Sequence, residues 1–253
     1  MATQTCHINA LLANTNSDNQ FNQQTVNRLT PVVDTVIKNS NMSVKNALFI
    51  YNAAVEDNCE PYLLANIQKL FGKVTVECIV KGMEEEMIDQ ADCLVVGGGS
   101  LVKLTTAMAP FATAIWQKVL TGAPFVGINA GAEFLSSIYI NLPMALCSEF
   151  DFFPLQFISG FNETQSGMNG VKNILNNNNE LSYALCMPTS DEGGGIVLED
   201  AKTGLAGNNT DWGGGPPPGT SQELYIFERD GTGGIRQVAW TEAQRKNLPI
   251  NYW

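Results

Sequence analysis

The amino-acid sequence predicts an α/β protein with a mostly parallel central sheet, helices on its faces and an antiparallel extension in its carboxyl-terminal half. In the first half of the 253-residue chain, short apolar runs alternate with helix-length segments, which is the pattern of a parallel sheet covered by helices. In the second half, short apolar runs follow one another between turn-rich stretches, as antiparallel strands do. We expect a single domain over residues 1–253.

The elements of the parallel part follow from this alternation. Strands are predicted at His7–Ala13, Asn46–Tyr51, Lys73–Cys78, Cys93–Val96 and Pro124–Ile128. Helices are predicted at Gln23–Ser40, Pro61–Leu70, Glu84–Gln90, Leu101–Thr121 and Ala130–Ser137. The sequence therefore predicts five strands and five helices before residue 140.

The elements of the second half are shorter and less regular. Strands are predicted at Leu155–Ile158, Ala184–Pro188, Gly195–Glu199 and Glu223–Glu228, with a helix around Val171–Leu175 that ends in a run of four asparagines. The segment Thr210–Gln222 joins runs of three glycines and three prolines, which neither a helix nor a central strand tolerates. We expect a surface loop there, with Trp212 as a candidate ligand contact.

Charge and cysteine content exclude several classes of function. The chain has 14 basic and 25 acidic residues, so its net charge of −11 opposes binding to nucleic acid or to anionic membranes. No apolar stretch is long enough to span a bilayer, and we expect a soluble, cytoplasmic protein. The six cysteines form no CxxC pair and are accompanied by one histidine. Neither a disulfide framework nor a metal site is predicted, and no cofactor is expected.

Two glycine-rich turns each follow a predicted strand and open a predicted helix. In the first, Val96 runs into Gly97, Gly98, Gly99 and Ser100. This turn matches neither common phosphate-binding motif, and its backbone N–H groups can serve either an anion or the oxyanion of an acyl-transfer reaction. In an open α/β sheet such turns meet at the carboxyl edge, where ligands bind.

The second turn has the strand, sharp turn and helix of a nucleophile elbow. Its sequence is VGINAGAEFL, in which Gly127, Ala130 and Gly131 surround Asn129. A serine or cysteine is expected at the centre of such an elbow, and a carboxamide is not a competent nucleophile. The sequence therefore predicts an elbow without its attacking group.

These motifs resemble those of the peptidase E family, serine peptidases that include aspartyl dipeptidases, are related to cyanophycinases and have a class I glutamine amidotransferase-like fold. VVGGGSLVKL resembles the family's GGGN turn, VGINAGAEFL its GxSAGxN elbow, INLP its NDMP segment, and FDFFPLQFISGF its long segment ending in NPHF. The resemblance implies that the family's serine, aspartate and histidine fall on Asn129, Asn141 and Gly160. It also implies an oxyanion hole or pocket formed by Gly97, Gly98, Gly99, Ser100 and Ala130.

Other residues near these motifs are candidates to replace the missing triad. His7 can act as a base only if its strand end neighbours the elbow. Nucleophile candidates near the motifs are Ser100, Ser136, Ser137, Cys147 and Ser159; carboxylate candidates are Asp92, Glu133, Glu149, Asp151 and Glu163. Asp191 and Glu192 are predicted in a turn that the resemblance places near the substrate pocket.

The sequence leads to two functional hypotheses. The first is a catalytically inactive relative of peptidase E with a binding, self-assembly or structural role, whose partners are a small peptide or amino-acid-like ligand and further copies of itself. The alternative is an active dipeptidase or amidohydrolase that cleaves acidic dipeptides through a rearranged site.

Overall fold

The computed structural model describes residues 7–14, 23–40, 42–51, 61–79, 82–135, 155–161, 164–177, 183–188, 194–199, 205–207, 225–229, 232–238 and 248–250. In its first part, strands and helices alternate as the sequence predicts. The strands are β1 (His7–Asn14), β2 (Asn46–Ile50), β3 (Thr75–Ile79), β4 (Cys93–Val96) and β5 (Thr121–Ile128). The helices are α1 (Gln23–Asn39), α2 (Pro61–Phe71), α3 (Glu85–Gln90), α4 (Leu101–Met108), α5 (Ala112–Leu120) and α6 (Ala130–Leu135).

The single helix predicted over Leu101–Thr121 is wrong in one respect. It is divided by a 3-10 turn at Ala109–Phe111 into α4 and α5. Pro110 lies in this turn, and proline inside a helix removes a backbone hydrogen bond and clashes with the preceding turn.

The later elements are β6 (Leu155–Phe161), α7 (Gln165–Asn177), β7 (Tyr183–Pro188), β8 (Gly194–Glu199), β9 (Leu205–Gly207), β10 (Tyr225–Arg229), β11 (Ile235–Val238) and β12 (Leu248–Ile250). The seven strands among these elements divide between two sheets. Three of them, β8, β9 and β12, extend the main sheet, whose order is β12-β9-β8-β1-β5-β4-β2-β3. The other four form a second sheet in the order β11-β10-β7-β6, which the sequence did not predict.

The main sheet is parallel across β1, β5, β4, β2 and β3 and antiparallel from β1 to β8 and beyond. The predicted fold class, a mostly parallel sheet with an antiparallel extension, is confirmed. Because the five parallel strands share one direction, the turns after β4 and β5 emerge at the same carboxyl edge.

Two apolar layers cover the parallel strands. The helices α1 and α2 pack on one face against Leu11, Phe49 and Val95, among others. The helices α3, α4, α5 and α6 pack on the other face against Leu12, Leu48 and Phe125, among others. The strands are thus buried on both sides, which accounts for their continuous apolar runs.

The central strand β5 contains a proline that an irregularity accommodates. His7 pairs with Thr121 and Asn9 with Pro124, so β5 has one extra residue in this interval. Gly122 there has a φ of 86°, and its carbonyl accepts a hydrogen bond from the buried side chain of Asn9 (3.2 Å). A bulge is one of the few places where a sheet admits proline.

No helix in the described part of the chain is long and apolar enough to cross a membrane.

Candidate functional site

Asn129 is the single residue between β5, which ends at Ile128, and α6, which begins at Ala130. Its φ is 52°, and it is the one non-glycine residue with positive φ among the described residues. Its N–H donates to the carbonyl of Ala13 (2.7 Å), and its own carbonyl accepts from Ala132 (2.9 Å) and Glu133 (3.0 Å). These hydrogen bonds connect the turn to β1 and begin α6. The left-handed backbone of Asn129 is the strained backbone of a nucleophile elbow.

Asparagine suits this position for local reasons. It is one of the few non-glycine residues that adopt left-handed backbone readily, and it is favoured at the start of a helix. The conformation is therefore kept although the side chain is a carboxamide.

The glycines on either side of Asn129 are required by close backbone contacts. A Cβ at Gly127 would lie 2.5 Å from the carbonyl oxygen of Gly131 and 2.7 Å from the Cα of Ala132. A Cβ at Gly131 would overlap the carbonyl oxygen of Val96 and lie 3.0 Å from that of Gly97. The elbow therefore fits directly against the end of β4.

This contact brings the two glycine-rich turns together. Val96 pairs with Gly127 across β4 and β5, and Gly131 lies on the carbonyl groups of Val96 and Gly97. The structure thus places Gly97, Gly98, Gly99 and Ser100 beside Asn129 and Ala130 at one edge of the sheet.

The four residues of the first turn have different roles. The N–H of Gly97 donates to the carbonyl of Ile50 (3.1 Å), so it belongs to the sheet and is not directed to a ligand. Gly98 and Gly99 follow this last paired amide, and Gly99 is exposed with a φ of 115°. The Ser100 hydroxyl accepts from the N–H of Lys103 (3.4 Å) and caps α4. Backbone donors at Gly98, Gly99 and Ala130 are the groups that suit an anionic or carbonyl oxygen.

The histidine of the chain lies at the opposite edge. His7 begins β1 and pairs with Thr121 at the start of β5, whereas Asn129 follows the end of β5. Seven residues of strand separate the two levels, which corresponds to roughly 23 Å. Hydrogen bonding between a base and a nucleophile needs about 3 Å, so His7 does not serve this turn.

Gly160 lies in β6, which approaches α6 and β1. Ile158 pairs with Cys186 and Phe161 with Pro188, so Ser159 and Gly160 together face one residue of β7. This is a β-bulge, a feature that re-aims side chains and is frequent near active sites. The resemblance assigns a histidine to position 160. This position lies in the bulge and is occupied by glycine, which has no side chain that could act as a base.

Several of the candidates lie outside the described residues. They are Asn141, Ser136, Ser137, Cys147, Glu149, Asp151, Glu163, Asp191, Glu192 and Trp212. The strand that follows Asp191 and Glu192 begins at Gly194 opposite Asn14, and hence at the carboxyl edge of β1.

The two described acidic candidates are far apart. The Asp92 carboxylate accepts from the N–H groups of Lys45 (2.9 Å) and Asn46 (3.0 Å), at the amino edge where β2 and β4 begin. Glu133 is half-buried in the first turn of α6, one turn from Asn129. They do not form a carboxylate pair, and Asp92 has a structural role.

The thiols whose side chains are described are inert. Burial raises the pKa of the Cys93 thiol far above its usual value, and the nearby Asp92 charge adds to this. Burial likewise raises the pKa of Cys186. Because the thiolate is the reactive form, neither is an activated nucleophile. Across the described residues, no group of three or more His, Cys, Asp and Glu side chains is arranged to hold a metal ion.

Tyr51 is a further residue at this edge that sequence reasoning placed in a strand without a role. It follows β2 directly and is half-buried, and a Cβ on Gly97 would lie 3.4 Å from its ring. The available signal was its place at the carboxyl end of a predicted strand adjacent to a glycine turn.

We expect Asn129→Ala to be less stable than Asn129→Gly by about 1 kcal/mol, because alanine resists left-handed backbone and glycine does not. Both variants lack the carboxamide, so their difference isolates the conformational effect. Urea unfolding of the two proteins measures it. Equal stability would contradict the left-handed backbone at this turn.

Comparisons with known proteins agree with this architecture. The model of peptidase family S51 matches residues 13–157, and no curated protein sequence matches. A crystal structure of a protein assigned as peptidase E from Listeria monocytogenes aligns with a TM-score of 0.53 at 16% identity, covering 81% of this chain and 99% of that one. The structure of a peptidase from an acI-B1 actinobacterium aligns with a TM-score of 0.60 at 13% identity, covering 94% and 97%.

The family model covers more than half of the chain and includes both glycine-rich turns and the elbow. The resemblance to peptidase E is confirmed, and the chain belongs to peptidase family S51.

Proposed function

We propose that this protein is a member of its family that does not hydrolyse peptides and that binds a small peptide-like or amino-acid-like ligand at the carboxyl edge of the sheet. The observation that carries the proposal is Asn129 in the left-handed backbone of the elbow. A carboxamide at this point cannot be deprotonated by a neighbouring base at accessible pH and does not attack a carbonyl.

The positions of His7 and Gly160 support the same proposal. His7 lies at the amino edge, and the bulge in β6 has Gly160 where the family resemblance calls for histidine. When triad groups are removed from a serine hydrolase, only about 10³–10⁴-fold catalysis over water persists, from oxyanion stabilisation and binding. Hydrolysis at this level is slow on the time scale of ordinary turnover.

Binding is favoured because the backbone of the site is kept. Gly127 and Gly131 keep the elbow against β4, and the N–H groups of Gly98, Gly99 and Ala130 stay at the edge as donors. These groups bind a carbonyl or carboxylate oxygen whether or not a nucleophile is present. Self-association, which the low share of charged residues (15%) permits, is compatible with this role.

Membership of a peptidase family favours the second candidate, an active hydrolase with a rearranged site. The nucleophile of such an enzyme would come from the segments around 136–151 or from Ser159, and its substrates would be acidic dipeptides.

A combined labelling and turnover experiment separates the two candidates. We expect purified protein to form no covalent adduct with a serine-reactive phosphonate and to release no amino acid from Asp-containing dipeptides, as measured by intact mass and by amine detection. Urea-unfolded protein is the control for non-specific labelling. An adduct on the native protein that the unfolded protein does not form would overturn the proposal and favour the hydrolase.

A further inference from the structure

Crevices form at several points along the carboxyl edge of the sheet, and the elbow occupies one of them. In an open α/β sheet, a crevice forms between neighbouring strands whose following helices lie on opposite faces. The neighbours β1 and β5 satisfy this, because α1 and α6 pack on opposite faces, and Asn129 lies there. The neighbours β2 and β4 also satisfy it, because α2 and α4 pack on opposite faces, and so do β2 and β3, because α3 packs on the same face as α4. We call the crevice between β2 and β4 the second crevice.

Tyr51 lies at the second crevice. It follows β2, and its ring is 5.7 Å from that of Phe49, at an angle of 43°. Phe49 is buried, and its ring packs against that of Tyr51. A Cβ on Gly97 would lie 3.0 Å from Phe49 and 3.4 Å from Tyr51. Gly97, at the end of β4, thus leaves room for the rings of Phe49 and Tyr51. The half-buried ring of Tyr51 is the more exposed of the two.

The spacing of the two crevices limits the size of a ligand that reaches both. In the order β1-β5-β4-β2, the crevices are two strand spacings apart, or about 10 Å. An extended chain covers about 3.5 Å per residue, so a ligand of two to three residues spans the distance. The first turn, Gly97–Ser100, lies between the two crevices and can contact the backbone of such a ligand.

The charges near the site disfavour an acidic side chain in this ligand. Among the side chains described in α1–α6 and the parallel strands, Lys103 in the first turn of α4 is the one cation at the carboxyl edge, and it is exposed. Glu133 is half-buried one turn from Asn129, and the net charge of the chain is −11. A carboxylate placed against these described side chains loses hydration without gaining a buried counter-charge from them.

We propose that Tyr51 is a specificity-determining residue that contacts an apolar or aromatic side chain of a neutral peptide two to three residues long, whose backbone lies along the turn Gly97–Ser100. This inference rests on the proposed binding function and names its ligand class. Aromatic rings contribute both apolar area and favourable ring contacts to such a subsite.

The test compares two matched probes, acetyl-Ala-Phe-amide and acetyl-Ala-Asp-amide, by calorimetry or by ligand-detected NMR. We expect the unmodified protein to bind the Phe probe at least about threefold more tightly than the Asp probe, the factor that an aromatic contact supplies. Tyr51→Ala should weaken the Phe probe by a similar factor and leave the Asp probe unchanged, whereas Tyr51→Phe should bind as the unmodified protein does.

Phe111→Ala is the matched control, because it removes a half-buried aromatic ring from the 3-10 turn that leads into α5, on the other face of the sheet. Its affinity for both probes should be unchanged. Tyr51→Leu is the second variant if Tyr51→Ala does not fold, as checked by circular dichroism.

The inference is overturned if the Asp probe binds as tightly as the Phe probe, if Tyr51→Ala binds the Phe probe as tightly as the unmodified protein does, or if neither probe binds. None of these results bears on catalysis. Binding of neither probe would also count against the binding part of the proposed function, whereas failure of its non-hydrolytic part would be seen as turnover or phosphonate labelling, which the probe affinities do not measure.

Discussion

Gly131→Ala is expected to lower the free energy of unfolding by about 3 kcal/mol, the upper part of the range for overpacking. The added methyl group would overlap the carbonyl oxygen of Val96 and lie 2.5 Å from its carbon. Both atoms are backbone, so no side-chain rotation relieves the overlap. Because β4 is buried on both faces, the elbow must move away from it. Urea unfolding monitored by circular dichroism measures the loss.

Gly170→Ala is the matched control for this substitution. Gly170 lies inside α7, and a Cβ there would have nothing within 4 Å. Alanine should therefore stabilise this helix by about 0.5–1 kcal/mol, since glycine is a poor helix former. If Gly131→Ala were as stable as Gly170→Ala, the close contact between the elbow and β4 would be contradicted.

The parallel part of this fold could be predicted from the sequence, and the second sheet could not. The parallel strands were predicted to within about three residues, because strands buried on both faces read as continuous apolar runs. The second sheet was not predicted, because the pairings of β7 with β6 and with β10 join strands that are far apart in the sequence, and nothing local specifies them. The division between α4 and α5 was not predicted, although Pro110 lies at it, because the apolar pattern of the helix continues through this proline.

The candidate site was predictable in its backbone and less so in its side chains. The glycines of both turns are local signals, and the structure places Gly97–Ser100 and Asn129 at one edge. The bulge at Ser159 and Gly160 depends on the register between β6 and β7, which no local pattern encodes. The position of Tyr51 follows from the order of strands, β4 beside β2, rather than from any motif around it.

The backbone of the elbow at Asn129 allows a second prediction with a large expected effect, on covalent labelling. The triple variant Asn129→Ser, Asn141→Asp and Gly160→His is expected to react with a serine-reactive phosphonate at position 129, where the unmodified protein forms no adduct. The left-handed turn exposes the introduced hydroxyl, the bulge in β6 carries the introduced imidazole, and the triad groups acting together contribute up to about 10⁶-fold to the rate of such enzymes. Intact mass and peptide mapping measure the adduct.

The double variant Asn141→Asp and Gly160→His, which keeps Asn129, is the control for this gain. It has a base without a nucleophile at the turn, and triad groups act as a unit rather than additively, so it should form no adduct. A folded triple variant that labels no more than the double variant would contradict the view that the elbow keeps a geometry able to support catalysis. If the triple variant alone is labelled, the carboxamide at position 129, rather than a distorted backbone, is the reason that the unmodified protein does not react.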